Sequence, residues 1–278
     1  MQVDCVVFDF DGTLTDVERH APAFHAATRE ALAEQWACGL AEVEQLWSEV
    51  DAEQRHGPAE LGWVYDGRVV GPARGDPYLI ANTIVRTIAE RRGVPEPAPL
   101  VFHVHRLAYE RVAPPFRHDA RRVLDEAVAR GVRVQVVTNS DTSTVAARLD
   151  GLGLTYRDRV VVRGHARKFV VGDPQERDAR FEVLPESLTV PGLGRPVWLR
   201  RGPYFDVLRQ MWGETGRADR TLVVGDLFEL DLAMPAALGC AVHLITRPTT
   251  LAHERAAALS AERGGAGDVL GGVIERLQ

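Results

Sequence analysis

Five apolar runs recur along the chain, each closing on turn-forming or polar residues. They are VDCVVFDF over residues 3–10, VRVQVVTNS over 132–140, RVVVRG over 159–164, TLVVGD over 221–226 and AVHLIT over 241–246. Runs this short, without polar alternation, predict strands buried on both faces. Helical periodicity fills the stretches between the later runs. HDARRVLDEAVARG (118–131) sets Ala120, Val123, Leu124, Ala127 and Val128 at helical spacing and stops at Gly131, a C-terminal cap. DLAMPAALGC (231–240) likewise runs from an acidic first turn to Gly239. Strands of this kind alternating with helices predict an α/β fold, a parallel sheet with helices on both faces.

Residues 16–114 break the pattern. They hold amphipathic helical stretches, APAFHAATREALAEQWACGLAEVEQLWSEV and DPYLIANTIVRTIAERRG, separated by the Gly- and Pro-rich GRVVGPARGDP (67–77), and nothing in them reads as a buried parallel strand. PEPAP (95–99) and APP (113–115) read as hinge or linker material. The expected organisation is a core of residues 1–15 and 115–278 interrupted by a helical insertion, 16–114. A second departure, KFVVGDPQERDARFEVLPESLTVPGLGRPVWLRR (168–201), alternates short β-like runs with turns and reads as a small β excursion beside the core.

Composition changes this picture little. A chain of 278 residues, 45% apolar and 26% charged, can bury a full core plus an insertion. No run approaches the roughly 20 apolar residues that span a bilayer, and Asp4, Asp9 and Asp11 occupy the first strand where a signal peptide would be apolar, so a cytoplasmic location is expected. The net charge of −6 argues against general nucleic-acid affinity. Cys5, Cys38 and Cys240 lie far apart and suggest neither disulfides nor a zinc site. Among 33 basic residues only Lys168 is lysine, which singles out that position.

Candidate chemistry collects where the strands end. In an open parallel sheet, ligands sit at the carboxyl edge near the point where strand order reverses. Asp9 and Asp11, Thr138-Asn139-Ser140, and Asp226 close three of the runs. An ionised Asp9 could attack phosphorus, with Asp11 protonating the leaving oxygen and later deprotonating water. Gly12 allows a sharp turn whose N–H groups can bind phosphate oxygens, and Thr138 and Asn139 offer further donors. Carboxylates gathered in one site need a cation, and Mg²⁺ suits oxygen ligands and phosphate. Asp9 and Asp226 are the candidate ligands, with a backbone carbonyl near Asp11; Asp231 could bind the metal directly, through water, or orient a neighbouring cation. Lys168 could offset the charge of nucleophile and phosphate.

DFDGTLTD, VVTNS and VVGDLFELD, in this order and spacing, resemble the first, second and fourth motifs of the haloacid dehalogenase (HAD) superfamily. The resemblance covers roughly 1–15 and 115–250. It implies a Rossmann-like core, Mg²⁺ dependence and a mobile cap, for which 16–114 is the segment. It also implies roles: Asp9 nucleophile, Asp11 general acid/base, Thr138 phosphate ligand, Asp226 with Asp231 the metal end. The third motif departs from pattern, because LRRGPYFDVL places Arg200 and Arg201 where a lysine is usual. Lys168 is the favoured cation and Arg201 the runner-up.

The expected activity is a Mg²⁺-dependent phosphatase acting on a small phosphorylated metabolite through an aspartyl-phosphate. Dehalogenation is disfavoured by the presence of Asp11, and phosphonate cleavage by the lack of a lysine in 16–114. A phosphomutase and a non-catalytic binding protein of the same fold are the alternatives. His103 and His105 read as structural and Trp36, Trp47 and Trp63 as core of the insertion. Arg55, His56, Arg68, Arg74, Tyr78 and Asn82 are weaker candidates for substrate contact.

Overall fold

A computed structural model of the chain describes residues 2–55, 62–213 and 217–277. In chain order the strands are β1 (Cys5–Phe8), β2 (Gly62–Tyr65), β3 (Arg68–Pro72), β4 (Arg133–Val137), β5 (Val160–Arg163), β6 (Ser187–Leu188), β7 (Val197–Trp198), β8 (Thr221–Gly225), β9 (Ala241–Ile245) and β10 (Ala266–Gly267). The helices are α1 (Val17–Trp36), α2 (Leu40–Arg55), α3 (Pro77–Arg91), α4 (Pro97–Arg111), α5 (Ala120–Ala129), α6 (Thr142–Gly151), α7 (Ala179–Glu182), α8 (Gly202–Trp212), α9 (Ala233–Ala237), α10 (Ala252–Ser260) and α11 (Gly271–Ile274). None of the described helices is long and apolar enough to cross a membrane.

Six strands form one parallel sheet in the order β10-β9-β8-β1-β4-β5. All five apolar runs therefore enter it. Their lack of polar alternation has a direct cause in β1, where Val6 and Phe8 pack into one apolar cluster with Val123 and Leu124 of α5, and Cys5 and Val7 into another with Tyr204, Phe205 and Leu208 of α8. Both faces are thus buried, as a parallel sheet with helical cover requires. The β excursion contributes the antiparallel pair β6–β7 to the second cluster's side, through Val190, Val197 and Leu199.

The chain separates into two compact units, one of Met1–Asp16, Val64–Gly71 and Phe116–Gln278, the other of Val17–Trp63 and Pro72–Pro115. The second is built on α1 to α4 around Phe24, Leu32, Trp47, Ile84, Ile88 and Val104. Helix α3 begins at Asp76, whose side chain accepts from the Leu79 N–H at 2.7 Å, with Pro77 at the first helical position. The PEPAP stretch read as linker is instead the start of α4: Pro97 sits in its first turn, where a missing N–H breaks no helical bond.

A second departure lies in the insertion. Asp66 and Gly67, both with positive φ (48° and 70°), form a two-residue turn joining β2 to β3, the geometry favoured by Asp-Gly in hairpins. Residues Val64–Gly71 of this hairpin group with the sheet-containing unit.

Candidate active site

The carboxyl edge of the sheet gathers the candidate residues. β1 pairs in register with β4 on one side and β8 on the other, so the loops after these strands leave at one level. Asp9 follows β1 directly and its N–H donates to the Val224 carbonyl at 2.9 Å. Its carboxylate is buried and meets the Lys168 ammonium, with Nζ to Oδ1 at 2.7 Å. The same ammonium lies 2.8 Å from Asp231 Oδ1. Burial pushes the Asp9 carboxyl up, to about 7, against the pull of Lys168. Burial also opposes the charge on Lys168, yet Asp231 and Asp9 outweigh it and its pKa rises. Lys168 is thereby held as an ammonium between Asp9 and Asp231.

Asp226 follows β8. Asp231 belongs to a π-helical turn, Phe228–Leu232, where its Oδ2 accepts from the Leu227 N–H at 3.1 Å. Of the roles open to Asp231 in the sequence, orienting a neighbouring cation is the one made by direct contact. Carboxylate oxygens of Asp9, Asp226 and Asp231 all lie within 4.8 Å of one another, and all three residues are buried. This all-oxygen, strongly anionic donor set fits a hard divalent cation such as Mg²⁺. The Asp11 carboxylate is not in that cluster, and the contribution expected there is a backbone carbonyl. The carboxylate itself accepts from Ser140 Oγ at 2.8 Å, on the side of the loop after β4.

Gly12 has φ +84°, and a Cβ there would fall 2.2 Å from Asp226 Oδ2. Its N–H, expected to face phosphate, is directed to Thr15 Oγ1 at 3.2 Å. The glycine's contribution is therefore space, since it lets the β1 loop press against the Asp226 carboxylate.

Thr138 is buried, and its Oγ1 accepts from the Ser140 N–H at 3.1 Å, which leaves the hydroxyl proton available to donate. Exposed Asn139 accepts from the Lys168 N–H through Oδ1 at 2.8 Å, so the residue also positions the lysine, and its amide hydrogens remain for a ligand.

Arg201, the alternative cation, is fully buried and faces three backbone carbonyls. Nη1 donates to Lys168 at 2.6 Å, Nη2 to Val70 at 2.8 Å and Nε to Trp198 at 3.0 Å. The cation in contact with Asp9 is Lys168. Arg200 instead pairs with Asp173 at 3.0 Å.

Three contributors had no assignment from sequence. Arg247, just past β9, places Nε 2.9 Å from Asp226 Oδ2, an ion pair almost fully buried on both sides but without hydrogen-bond alignment of that N–H. Tyr204 donates its hydroxyl to the Asp231 carbonyl at 3.0 Å and presents its ring 5.5 Å from the Lys168 ammonium. Ser140, part of the noted TNS run, holds Asp11. Only Ser140 carried a signal, as the third polar residue after a strand.

The remaining sequence candidates lie elsewhere. His105 binds Asn82 Oδ1 through Nδ1 at 3.0 Å and stacks on Tyr109, and burial lowers its pKa to about 4, the state of a neutral structural histidine. Tyr78 bonds His20 at 2.8 Å. Trp36 and Trp47 pack with the core of the helical unit. Arg55 and Arg74 pair with Asp51, and Arg68 stacks over Trp198. His56 lies outside the described residues.

Comparison with known proteins bears on the fold and the family. Among solved structures, the HAD-hydrolase YfnB from Bacillus subtilis, bound to magnesium, aligns over 100% of this chain and 99% of its own at 15% identity with a TM-score of 0.53. A HAD phosphatase from Thermococcus onnurineus aligns over 100% and 98% at 15% identity, TM-score 0.53. An L-2-haloacid dehalogenase aligns over 100% of both chains at 13% identity, TM-score 0.51. At such identities the likeness is one of fold. No curated protein matches the sequence. The family model for haloacid dehalogenase-like hydrolases matches residues 3–239, a span that takes in Asp9, Thr138, Lys168, Asp226 and Asp231 together. By that match, and with the sheet and its acidic edge arranged as described, the chain belongs to the haloacid dehalogenase-like hydrolases.

Proposed function

We propose that this hydrolase is a Mg²⁺-dependent phosphatase that cleaves a small phosphorylated metabolite through an aspartyl-phosphate. The observation that carries the reading is the division of labour between the two aspartates of the first motif. Asp9 is buried and charge-paired with Lys168, whereas Asp11 is partly exposed and hydrogen-bonded to a neutral hydroxyl. The first environment suits a nucleophile whose charge must be held, the second a group that gains and loses a proton.

The free oxygen of Asp9 attacks phosphorus, the bond to the leaving oxygen breaks, and Asp11 gives that oxygen its proton. Asp11 then takes a proton from water, whose oxygen attacks the phosphoryl group, releasing inorganic phosphate and restoring Asp9. Thr138 and Asn139 hold phosphate oxygens through hydroxyl and amide hydrogens, and Lys168 offsets the charge that collects on Asp9. Mg²⁺ held by Asp9 and Asp226, with Asp231 at its margin, would supply charge neutralisation of the phosphoryl oxygens.

The presence of Asp11 supports phosphoryl transfer over dehalogenation, which needs no such acid/base partner. The test is hydrolysis of p-nitrophenyl phosphate and then of a panel of phosphorylated metabolites, with and without Mg²⁺, using Asp9→Asn as control. Metal-dependent phosphate release abolished by Asp9→Asn is expected. Halide release from 2-haloacids without metal, and no phosphate release from any ester, would overturn the reading.

A further inference from the structure

The loop that delivers Lys168 is not shaped by its own sequence. His165 and Arg167 both adopt left-handed backbone, φ 52° and 49°, a conformation that side-chain-bearing residues disfavour. Surrounding bonds must therefore hold the loop. On one side the loop after β4 does so, accepting from the backbone N–H groups of His165, Ala166 and Lys168 through Ser140 O, Thr138 O and Asn139 Oδ1. On the other side the Arg201 guanidinium donates to the Lys168 carbonyl at 2.6 Å.

The other donors of Arg201 reach the Trp198 carbonyl at the end of β7 and the Val70 carbonyl in β3. One planar fork thus ties three separate chain segments, a geometry an ammonium cannot reproduce. Further contacts follow the same path. Tyr65 of the hairpin packs its ring on Phe169, the residue after Lys168, with centroids 4.8 Å apart. Gly71 lies against Leu230, the residue before Asp231, where an added Cβ would meet its side chain at 3.6 Å. Arg68 covers the Trp198 ring at 5.2 Å. The segment Val64–Gly71 thereby touches the chain neighbours of both Lys168 and Asp231.

We propose that Arg201 is a positioning residue that couples the Val64–Gly71 hairpin to Lys168, so that the hairpin sets where the ammonium stands between Asp9 and Asp231. The kinetic part of this proposal rests on the phosphatase reading; the structural part does not. With Nζ at 2.7 and 2.8 Å from its two carboxylates, a shift of the Lys168 backbone by about 1 Å removes one or both contacts, and misplacement on that scale can cost about 10²-fold in rate.

Because Lys168 is the one lysine in the sequence, protein grown with ¹³C-lysine gives a single ε-methylene NMR signal that reports this ammonium directly. Two variants test the coupling. Arg201→Gln removes the tie to the hairpin, and Tyr65→Ala loosens the hairpin without touching either the lysine side chain or the guanidinium. Both are expected to move the Lys168 signal and to lower kcat, by about 10²-fold for Arg201→Gln and about tenfold for Tyr65→Ala, while KM stays within about twofold. If Arg201→Gln does not fold, Tyr65→Ala carries the test alone. An unmoved lysine signal in a folded variant overturns the coupling. Since the NMR reading needs no turnover, it stands or falls independently of the reaction assigned to the site.

Discussion

Gly12→Ala separates two consequences of one methyl group. The first is conformational: alanine in the left-handed region at φ +84° costs about 1–2 kcal/mol. The second is steric, because the new Cβ would stand 2.2 Å from Asp226 Oδ2, whereas ordinary contact begins at 3.4 Å. The carboxylate must retreat by about 1 Å, which disturbs its 2.9 Å pair with Arg247, or the β1 loop must lift away, which moves Asp9; either displaces a member of the acidic cluster. A displacement of that size corresponds to about 10²-fold in turnover. Gly131 supplies the control, for it has φ +80° and nothing within 4 Å of an added Cβ. Gly131→Ala should therefore lose only the conformational part. Urea denaturation of both variants, with metal-dependent phosphate release measured alongside, compares the two. Gly12→Ala is expected to lose more stability than Gly131→Ala and to lose activity that Gly131→Ala keeps. Equal stabilities, with Gly12→Ala within about threefold of wild-type turnover, would refute the steric argument.

Three further outcomes follow from the same geometry. Lys168→Met leaves Asp9 and Asp231 buried without their shared ammonium, a loss of about 3–5 kcal/mol by denaturation, and Mg²⁺ should restore part of it if the acidic cluster binds the ion; a melting temperature unaffected by Mg²⁺ would speak against that. Ser140→Ala releases the Asp11 carboxylate from its 2.8 Å bond and should lower kcat by about tenfold with little effect on stability; unchanged kcat would remove Ser140 from the proton-handling group. Glu254, at the start of α10, is pushed by burial, and then by Glu229, up to about 8. Its folded pKa lies above the ordinary carboxyl value of about 4.3. The stabilisation from its bound proton is complete below that value and is lost as pH rises from there through 8, a decline of about 5 kcal/mol. Glu254→Gln should flatten the decline in a melting series from pH 4 to 9, and parallel curves would contradict the assignment.

How much of this could be read from sequence depends on the range of the interaction involved. The sheet strands announce themselves because both faces are buried, so each is a continuous apolar run, and the polar residues closing them mark one edge of the sheet. Lys168 was visible through its rarity in an arginine-rich chain. The β2–β3 hairpin carried a local signal, Asp66-Gly67 between WVY and RVV, that the surrounding glycines and prolines obscured. PEPAP looked like linker for a similar reason, since proline marks a helix start as readily as a loop. Arg201 is a harder case. Nothing local distinguishes a guanidinium facing an aspartate from one facing three carbonyls, and only the meeting of the segments around residues 70, 168 and 198 decides it. Arg247 likewise sits at a legible strand end, but its pairing with Asp226 depends on β8 and β9 lying side by side.

The placement of β1 at the centre of the sheet has a consequence for when this protein becomes active. Asp11 meets a partner 129 residues away and Asp9 one 159 residues away, and neither meeting is possible until β4 and β5 have joined β1 in parallel register. β8, which carries Asp226, is made later still. Parallel pairings across such separations form slowly, because the loops they close must be ordered first. Competence for chemistry is therefore a property of the completed sheet. No stretch that stops short of β8 holds it, because Asp226 and Asp231 follow that strand and β1 lacks its second neighbour until β8 is in place.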